Sequence, residues 1–314
     1  MHAPAQRRFG AHFMTKSGYP PQLHRVIRRV HINMPWQRLP RHLDLVLEHG
    51  FNLEIGLGGI DLDSLTPTEA ERTVNKLHAA GIRLSLHGPF WDLCPGSTDS
   101  LIRQVTRARL QRFFDLAPVF NPVQVVCHTG YDPRHHGEDW HEFLERSLAT
   151  WEPLLERAES MKVPLSLENV WEYGPQLHQA LFARLPSPYL GFCLDVGHQH
   201  TFSRTPLSDW LEALIGHLQE MHVHDNNGSG DAHLPVGQGT IDFPSLFQFI
   251  KERNAVPLLT LEPHREPHLF ESLHGLTEIL ESCGLLAEES NHGDCGGQHR
   301  SHRAPHHESQ SLCG

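Results

Sequence analysis

An eightfold rhythm constrains this chain more than any other feature of its sequence. From residue 29 onward an apolar, β-rich run is followed by a polar turn and then by a helical pattern, and the unit repeats eight times. The strand-like runs cover 29–34, 52–57, 82–88, 123–129, 163–169, 190–196, 218–224 and 257–263. Helical periodicity fills the intervals near 37–49, 67–80, 99–117, 138–161, 175–184, 207–216 and 243–253, with a last helix near 267–283. Local punctuation agrees. Thr66-Pro67 with Glu69 reads as a helix start with proline at the first helical position, and Gly81 as a helix stop before the third strand. Strands alternating with helices form βαβ units and a parallel sheet. Eight such units predict a single (β/α)8 barrel over 29–285. A doubly wound sheet is the structural alternative, but no GxGxxG follows the first strand.

The two ends break the rhythm. Residues 1–28 are polar, contain Pro20-Pro21 and read as an irregular N-terminal extension. Residues 286–314 lack periodicity and are rich in His, Gly and Ser, so a disordered low-complexity tail is expected there. It reads either as a device for metal capture or as a tolerated polar tail. Hydrophobic residues make up 39% of the chain, enough for a core. A net charge of −11 argues against DNA as a partner, because a non-specific nucleic-acid binder needs a basic face. No stretch approaches 18 apolar residues, and the first residues lack the apolar run of a secretory signal. The Cys residues are scattered without a CxxC, which suits a reducing cytoplasm, and Cys127 and Cys193 read as small core residues. The expected partner is a small molecule.

In a (β/α)8 barrel the catalytic residues sit at the C-terminal ends of the strands. Here the third strand ends in His87, the fourth in His128 and the fifth in Glu168. The sixth ends in Asp195, with His198 three residues on; the seventh ends in His222, His224 and Asp225. The loop after it carries Asp231 and His233, and the eighth strand ends in Glu262, followed by His264. Histidine accounts for 27 of the 314 residues, so abundance alone singles out none of them; position does. Six consecutive strands present metal-ligand residue types at one end. Mixed N/O donors suit zinc, manganese or iron better than calcium or magnesium. The supply exceeds what one ion needs, so two or three ions fit, with zinc first and manganese second.

These residues resemble the xylose-isomerase-like TIM-barrel superfamily, which contains sugar and sugar-phosphate isomerases and epimerases and also endonuclease IV. The segments that carry the resemblance are LHGPF (86–90), CHTG (127–130), LEN (167–169), LDVGH (194–198), HVHDNNGSGDAHLPVGQGTIDF (222–243) and LEP (261–263). The endonuclease IV pattern of a trinuclear zinc site would fall on His87, His128, Glu168, Asp195, His198, His222, Asp231, His233 and Glu262, with Glu168 bridging two metals. The epimerase pattern is a smaller set around one ion: Glu168, Asp195, His222 and Glu262. Both are present, one nested in the other. Each reading meets a departure. The substrate-binding Arg of such epimerases is replaced by Asn226-Asn227-Gly228-Ser229-Gly230. The basic DNA-inserting loops of endonuclease IV are missing, since 58–65 is short and acidic and 199–206 carries a single Arg.

Two mechanisms follow. In a hydrolase, clustered ions activate water near neutral pH and neutralise charge on a phosphoryl group. Glu168 would bridge and position the nucleophile, and Glu262 would help hold or deprotonate it. In an isomerase or epimerase, Glu168 and Glu262 would move protons on opposite faces of a sugar carbon while His198 orients substrate oxygens. Ligand count places phosphoester hydrolysis first and isomerisation or epimerisation second. A non-catalytic metal binder, lacking open coordination positions, is the third class. Trp36, Trp91 and Trp171 would either stack on substrate or cap the barrel. His200, His224 and His264 are candidates to hold substrate or to orient the ligands by hydrogen bonds. Gly237 and Gly239 are expected to set a tight turn near the site.

Overall fold

The structure, a computed structural model, describes residues 18–286. Its centre is a closed barrel of eight parallel strands paired in chain order, with the last pairing back onto the first. The strands are β1 Val30–Pro35, β2 Asn52–Gly56, β3 Leu84–His87, β4 Val125–His128, β5 Leu165–Glu168, β6 Leu190–Asp195, β7 Leu218–Val223 and β8 Leu258–Leu261. Helix α1 Pro21–Arg29 precedes β1, and α2 Leu39–His49 follows it. After β2 come α3 Gly59–Ser64 and α4 Pro67–Ala79, and after β3 comes α5 Ser100–Phe120. After β4 come α6 Pro133–His136 and α7 His141–Met161, and after β5 comes α8 Gln176–Arg184. After β6 come α9 Val196–Phe202 and α10 Leu207–Leu214, then α11 Phe243–Glu252 after β7 and α12 Glu266–Ser282 after β8. No helix among the described residues is long and apolar enough to cross a membrane.

The local signals act as read. Thr66 Oγ1 accepts the Glu69 N–H at 3.3 Å while Glu69 Oε2 accepts the Thr66 N–H at 3.1 Å, closing a capping box at the start of α4. Gly81 has φ +76°, the left-handed turn that redirects the chain into β3. One expectation is corrected. Residues 21–28 are helical rather than irregular: Pro21 occupies the first helical position, and Leu23, Val26 and Ile27 share a buried face. That face spacing favours a helix packed on the barrel, and α1 lies against α12. The stretch 58–65 likewise contains α3 rather than a bare loop. The His-rich tail falls outside the described residues.

Each strand is covered on both sides, as parallel strands must be. One face carries apolar side chains toward the helices, such as Leu84, Leu86, Val125, Leu165, Leu167 and Met221, all buried. The other face fills the barrel with hydrogen-bonded polar groups rather than branched aliphatics. His31 bonds Ser85 at 2.8 Å, Asn33 donates to Glu54 at 3.0 Å, Gln124 to Ser166 at 2.6 Å and Thr260 to Glu220 at 2.6 Å. The two-residue strand period carries this face upward. His87 lies two residues beyond Ser85, Glu168 beyond Ser166, His222 beyond Glu220 and Glu262 beyond Thr260. Cys127 belongs to the outer core, but Cys193, two residues before Asp195, faces the interior beneath the site; both are fully buried.

Candidate metal centre

The C-terminal ends of β3 to β8 converge on Glu168. Its Oε2 lies 3.0 Å from His87 Nε2, 3.1 Å from His128 Nε2 and 3.4 Å from His222 Nδ1, and its Oε1 lies 3.2 Å from His198 Nδ1. Glu262 Oε1 and Asp195 Oδ2 approach the same His222 nitrogen at 3.2 and 3.9 Å. From the loop after β7, Asp231 Oδ2 lies 3.4 Å from His198 Nε2 and 3.1 Å from His233 Nε2. All nine residues expected as ligands from the sequence are therefore in one cluster. Three overlapping donor sets stand out: His87, His128 and Glu168; Glu168, Asp195 and His198; His198, His224, Asp231 and His233. Within each, the candidate donor atoms lie within 4.8 Å of one another.

Hydrogen bonds behind the imidazoles fix which nitrogen faces the cluster. A backbone carbonyl only accepts, so a ring nitrogen bonded to one carries the proton. His87 Nδ1 donates to Gly88 O at 2.9 Å, His198 Nδ1 to Asn169 O at 3.1 Å and His233 Nδ1 to Glu262 O at 3.1 Å. Each leaves a bare Nε2 pointing at a carboxylate. His222 is reversed: Nε2 meets Glu54 Oε2 at 3.3 Å, so Nδ1 faces Glu168, Asp195 and Glu262. That buried Nδ1 makes no hydrogen bond, and the same is true of His224 Nδ1. A lone pair surrounded by carboxylate oxygens is repulsive unless a cation lies between them. These orphaned nitrogens, and the carboxylate–histidine pairs that orient them, fit a divalent metal.

The electrostatics have the same shape. Burial alone would raise the Glu168 carboxyl, but the field of His128 and His222 and the hydrogen bonds of His128 and His198 hold it well below the usual range. Burial would lower His222, yet the carboxylates of Glu54, Glu168 and Glu262 push it well above its ordinary value. The shifts of His198 and His222 above their ordinary value have the same origin, the field of the surrounding carboxylates. Burial also pushes the Cys193 thiol well up, so it is a neutral neighbour rather than a thiolate donor.

The remaining expectations divide. His224 is 1% exposed and donates from Nε2 to both Asp195 oxygens at 3.1 Å. His264 stacks on His233 with ring centroids 3.5 Å apart, whereas His200 bonds Thr240 Oγ1 at 2.9 Å on the exposed side. Asp225 is a loop anchor: Oδ2 accepts the N–H groups of Gly237 and Gly239 at 3.0 and 2.8 Å. Gly237 has φ +85°, and a Cβ on Gly239 would sit 2.3 Å from Asp225 Oδ1. Of the three Trp residues, Trp91 is 79% exposed, Trp36 meets Phe120 edge-on, and Trp171 lies between Phe202 and the Arg134 guanidinium. Trp36 and Trp171 are thus engaged by the protein itself. The aromatic face at the site is Phe90, stacked on His128 at 4.4 Å and touching Trp91.

The sequence reading missed Phe90, which lies inside the LHGPF segment, and the acids beneath His222. Burial and the adjacent Glu54 push the Glu220 carboxyl well above the usual range, while His222 and His87 hold Glu54 below it against the opposing effect of burial. The available signal was a carboxylate in the middle of an otherwise apolar strand. Glu172 was also missed. It accepts from Thr129 Oγ1 and, at 2.7 Å, from the Val170 N–H, and burial lifts its carboxyl to about 7.

Comparison with known proteins agrees with this architecture. An uncharacterized protein of Methanocaldococcus jannaschii, MJ1311, is 26% identical over 256 residues, covering 78% of this chain and 86% of its own length. A second from the same organism, MJ1614, is 26% identical over 203 residues, 63% of this chain and 78% of its own length. Among solved structures, a D-tagatose 3-epimerase-like protein superposes with a TM-score of 0.71 at 23% identity, covering 82% of this chain and 99% of its own, a likeness of fold. The TTHB071 protein of Thermus thermophilus, studied after soaking with ZnCl2, gives 0.67 at 26% identity, covering 82% and 98%. The family model described as xylose isomerase-like TIM barrel matches residues 43–288, and this chain belongs to that family.

Proposed function

We propose that the chain is a divalent-metal-dependent isomerase or epimerase of a small sugar or sugar phosphate. One observation carries the reading: the carboxylates of Glu168 and Glu262, on strands β5 and β8, meet at His222 Nδ1 with Asp195 beside them. These four residues would hold the central ion, zinc or manganese, whose contribution is to polarise a substrate carbonyl and hydroxyl. Glu168 and Glu262 then face a carbon between them from opposite sides. One removes its proton and the other returns a proton from the far face. The kinship with epimerase-like structures supports this reading over DNA repair. No Arg follows His222 to grip the substrate. Asn226 stands there, with its side chain bonded to Gly197 O and Gly228 N. Phe90 and Trp91 are the replacement contact, offering an aromatic face to a sugar ring.

Phosphoester hydrolysis is the second reading, and the convergence of all nine donors favours it. Metal analysis with activity decides between them. One ion per chain, unchanged by His87→Ala or His233→Ala, excludes a trinuclear hydrolase. Two or three ions, with phosphodiester hydrolysis lost in Glu168→Gln, exclude the epimerase. Deuterium entering a ketose phosphate from D2O, and lost in Glu262→Gln, is the positive result for proton transfer.

A further inference from the structure

Asn169 follows Glu168 at the end of β5 and is 2% exposed. We propose that it is a positioning residue: its side-chain amide replaces a missing rung between β5 and β6 and so places the metal donors Asp195 and His198. The inference rests on the metal-dependent reading above and assigns a further residue to it.

The two strands end out of step. Their pairing stops with Glu168 opposite Cys193, but β6 runs on to Asp195. On one side Asp195 pairs with His222 of β7. On the other, the same register would set Val170 opposite it, but there the chain has turned away and the Val170 N–H is given to Glu172 Oε2 at 2.7 Å. The Asn169 side chain fills the gap. Its Oδ1 accepts the Asp195 N–H at 2.9 Å, and its Nδ2 donates to Asp195 O at 3.0 Å. A primary amide carries the donor and the acceptor of a peptide unit on one short stem, so it satisfies both main-chain groups at once. Asp195 is fully buried, and without this clasp its N–H and C=O would lack partners on that side.

The clasp matters because of what Asp195 holds. With its main chain fixed on both sides, its carboxylate points three ways. Oδ1 caps α9 through the His198 N–H at 2.6 Å, both oxygens accept from His224 Nε2 at 3.1 Å, and Oδ2 faces His222 Nδ1 at 3.9 Å. The carbonyl of Asn169 accepts His198 Nδ1–H at 3.1 Å, which leaves Nε2 toward the cluster. One residue therefore places a carboxylate and an imidazole relative to Glu168, the residue before it. None of these contacts needs an ion. The donors stand in place before a metal arrives, and binding then loses little to ordering them.

The test uses the full chain, stripped with a chelator and titrated with Zn²⁺ against a competing chelator. Asn169→Ala should lower zinc affinity about 10- to 100-fold, as loss of a partner that orients a ligand does. Gln124→Ala is the control. It removes another buried inter-strand amide, bonded to Ser166 at 2.6 Å near the opposite end of the barrel, and should cost stability without moving zinc affinity. A second measurement needs no substitution and stands even where Asn169→Ala does not fold. Hydrogen exchange at the Asp195 N–H should be as slow in the metal-free wild-type chain as in the zinc-loaded one, because Asn169 holds it without an ion. Three results would overturn the proposal: wild-type zinc affinity in a folded Asn169→Ala protein, an equal loss in Gln124→Ala, or fast exchange at Asp195 that slows only when Zn²⁺ is added. Failure of the metal reading is a different result, a wild-type chain that takes up no ion at all; it removes the role of Asn169 even where exchange at Asp195 stays slow.

Discussion

The two flanks of Glu168 use the same residue types but differ in how many of them meet. On the β3–β4 side, His87 and His128 bring two nitrogens to one carboxylate oxygen. Their neighbours are Phe90, 37% exposed, and the more exposed Trp91. On the β6–β7 side, three imidazoles meet Asp231, and stacked rings cover them. The first flank is short of donors and open. The second gathers more donors, and its carboxylate, Asp231, reaches the surface with its side chain 27% exposed. Residue identity at a strand end marks a candidate donor; how many donors converge on one carboxylate is decided only in space.

The strongest way to break this comparison is to remove what the flanks share. Glu168→Gln should lower kcat/KM about 10³-fold, in the range for loss of a proton-transferring group, and weaken metal on both sides; steady-state kinetics and metal analysis read it. Metal removal should next tell the flanks apart. An ion held at a thousand times its Kd stabilises by about 4 kcal/mol. Chelation should therefore lower Tm, and His233→Ala should reproduce more of that loss than His87→Ala. His87→Ala should instead cost more turnover than stability.

The loops that follow β4 and β5 have their own pH signature. Glu172 is raised from the ordinary 4.5 to about 7 by burial, so the folded chain keeps a proton that the unfolded chain has released. The stability this confers is complete below pH 4.5 and is lost as pH rises through 7, a change of about 3 kcal/mol. Glu172→Gln should flatten that decline in Tm measured from pH 5 to 8; an unchanged slope would assign the effect elsewhere. The smallest expected effect is at the rim. Phe90→Ala should raise KM about 5- to 10-fold with kcat little changed, as loss of one aromatic contact does.

Much of this was legible from residues because a parallel barrel converts order along the chain into position. Once eight strands are recognised, the last residue of each is known to lie at one end, so His87, His128, Glu168, Asp195, His222 and Glu262 could be grouped without coordinates. Helix α1 is just as legible in principle, since Leu23, Val26 and Ile27 keep helical spacing and Pro20-Pro21 starts a helix rather than breaking one. Trp36 and Trp171 show the limit of position alone. Both follow strands at the correct end, yet contacts with Phe120, Phe202 and Arg134 engage their rings.

By itself the sequence determined the barrel, its strand ends and the nine residues that gather there, because strand period and βα alternation are properties of local order. Only the tertiary structure decided which nitrogen of each imidazole is free, because that depends on carbonyls and carboxylates from distant strands. Asn169 does this for His198, Glu262 for His233, Glu54 for His222 and Asp195 for His224. It also decided where His224 lies, since Gly197 and the stacked histidines act on its ring through space rather than along the chain.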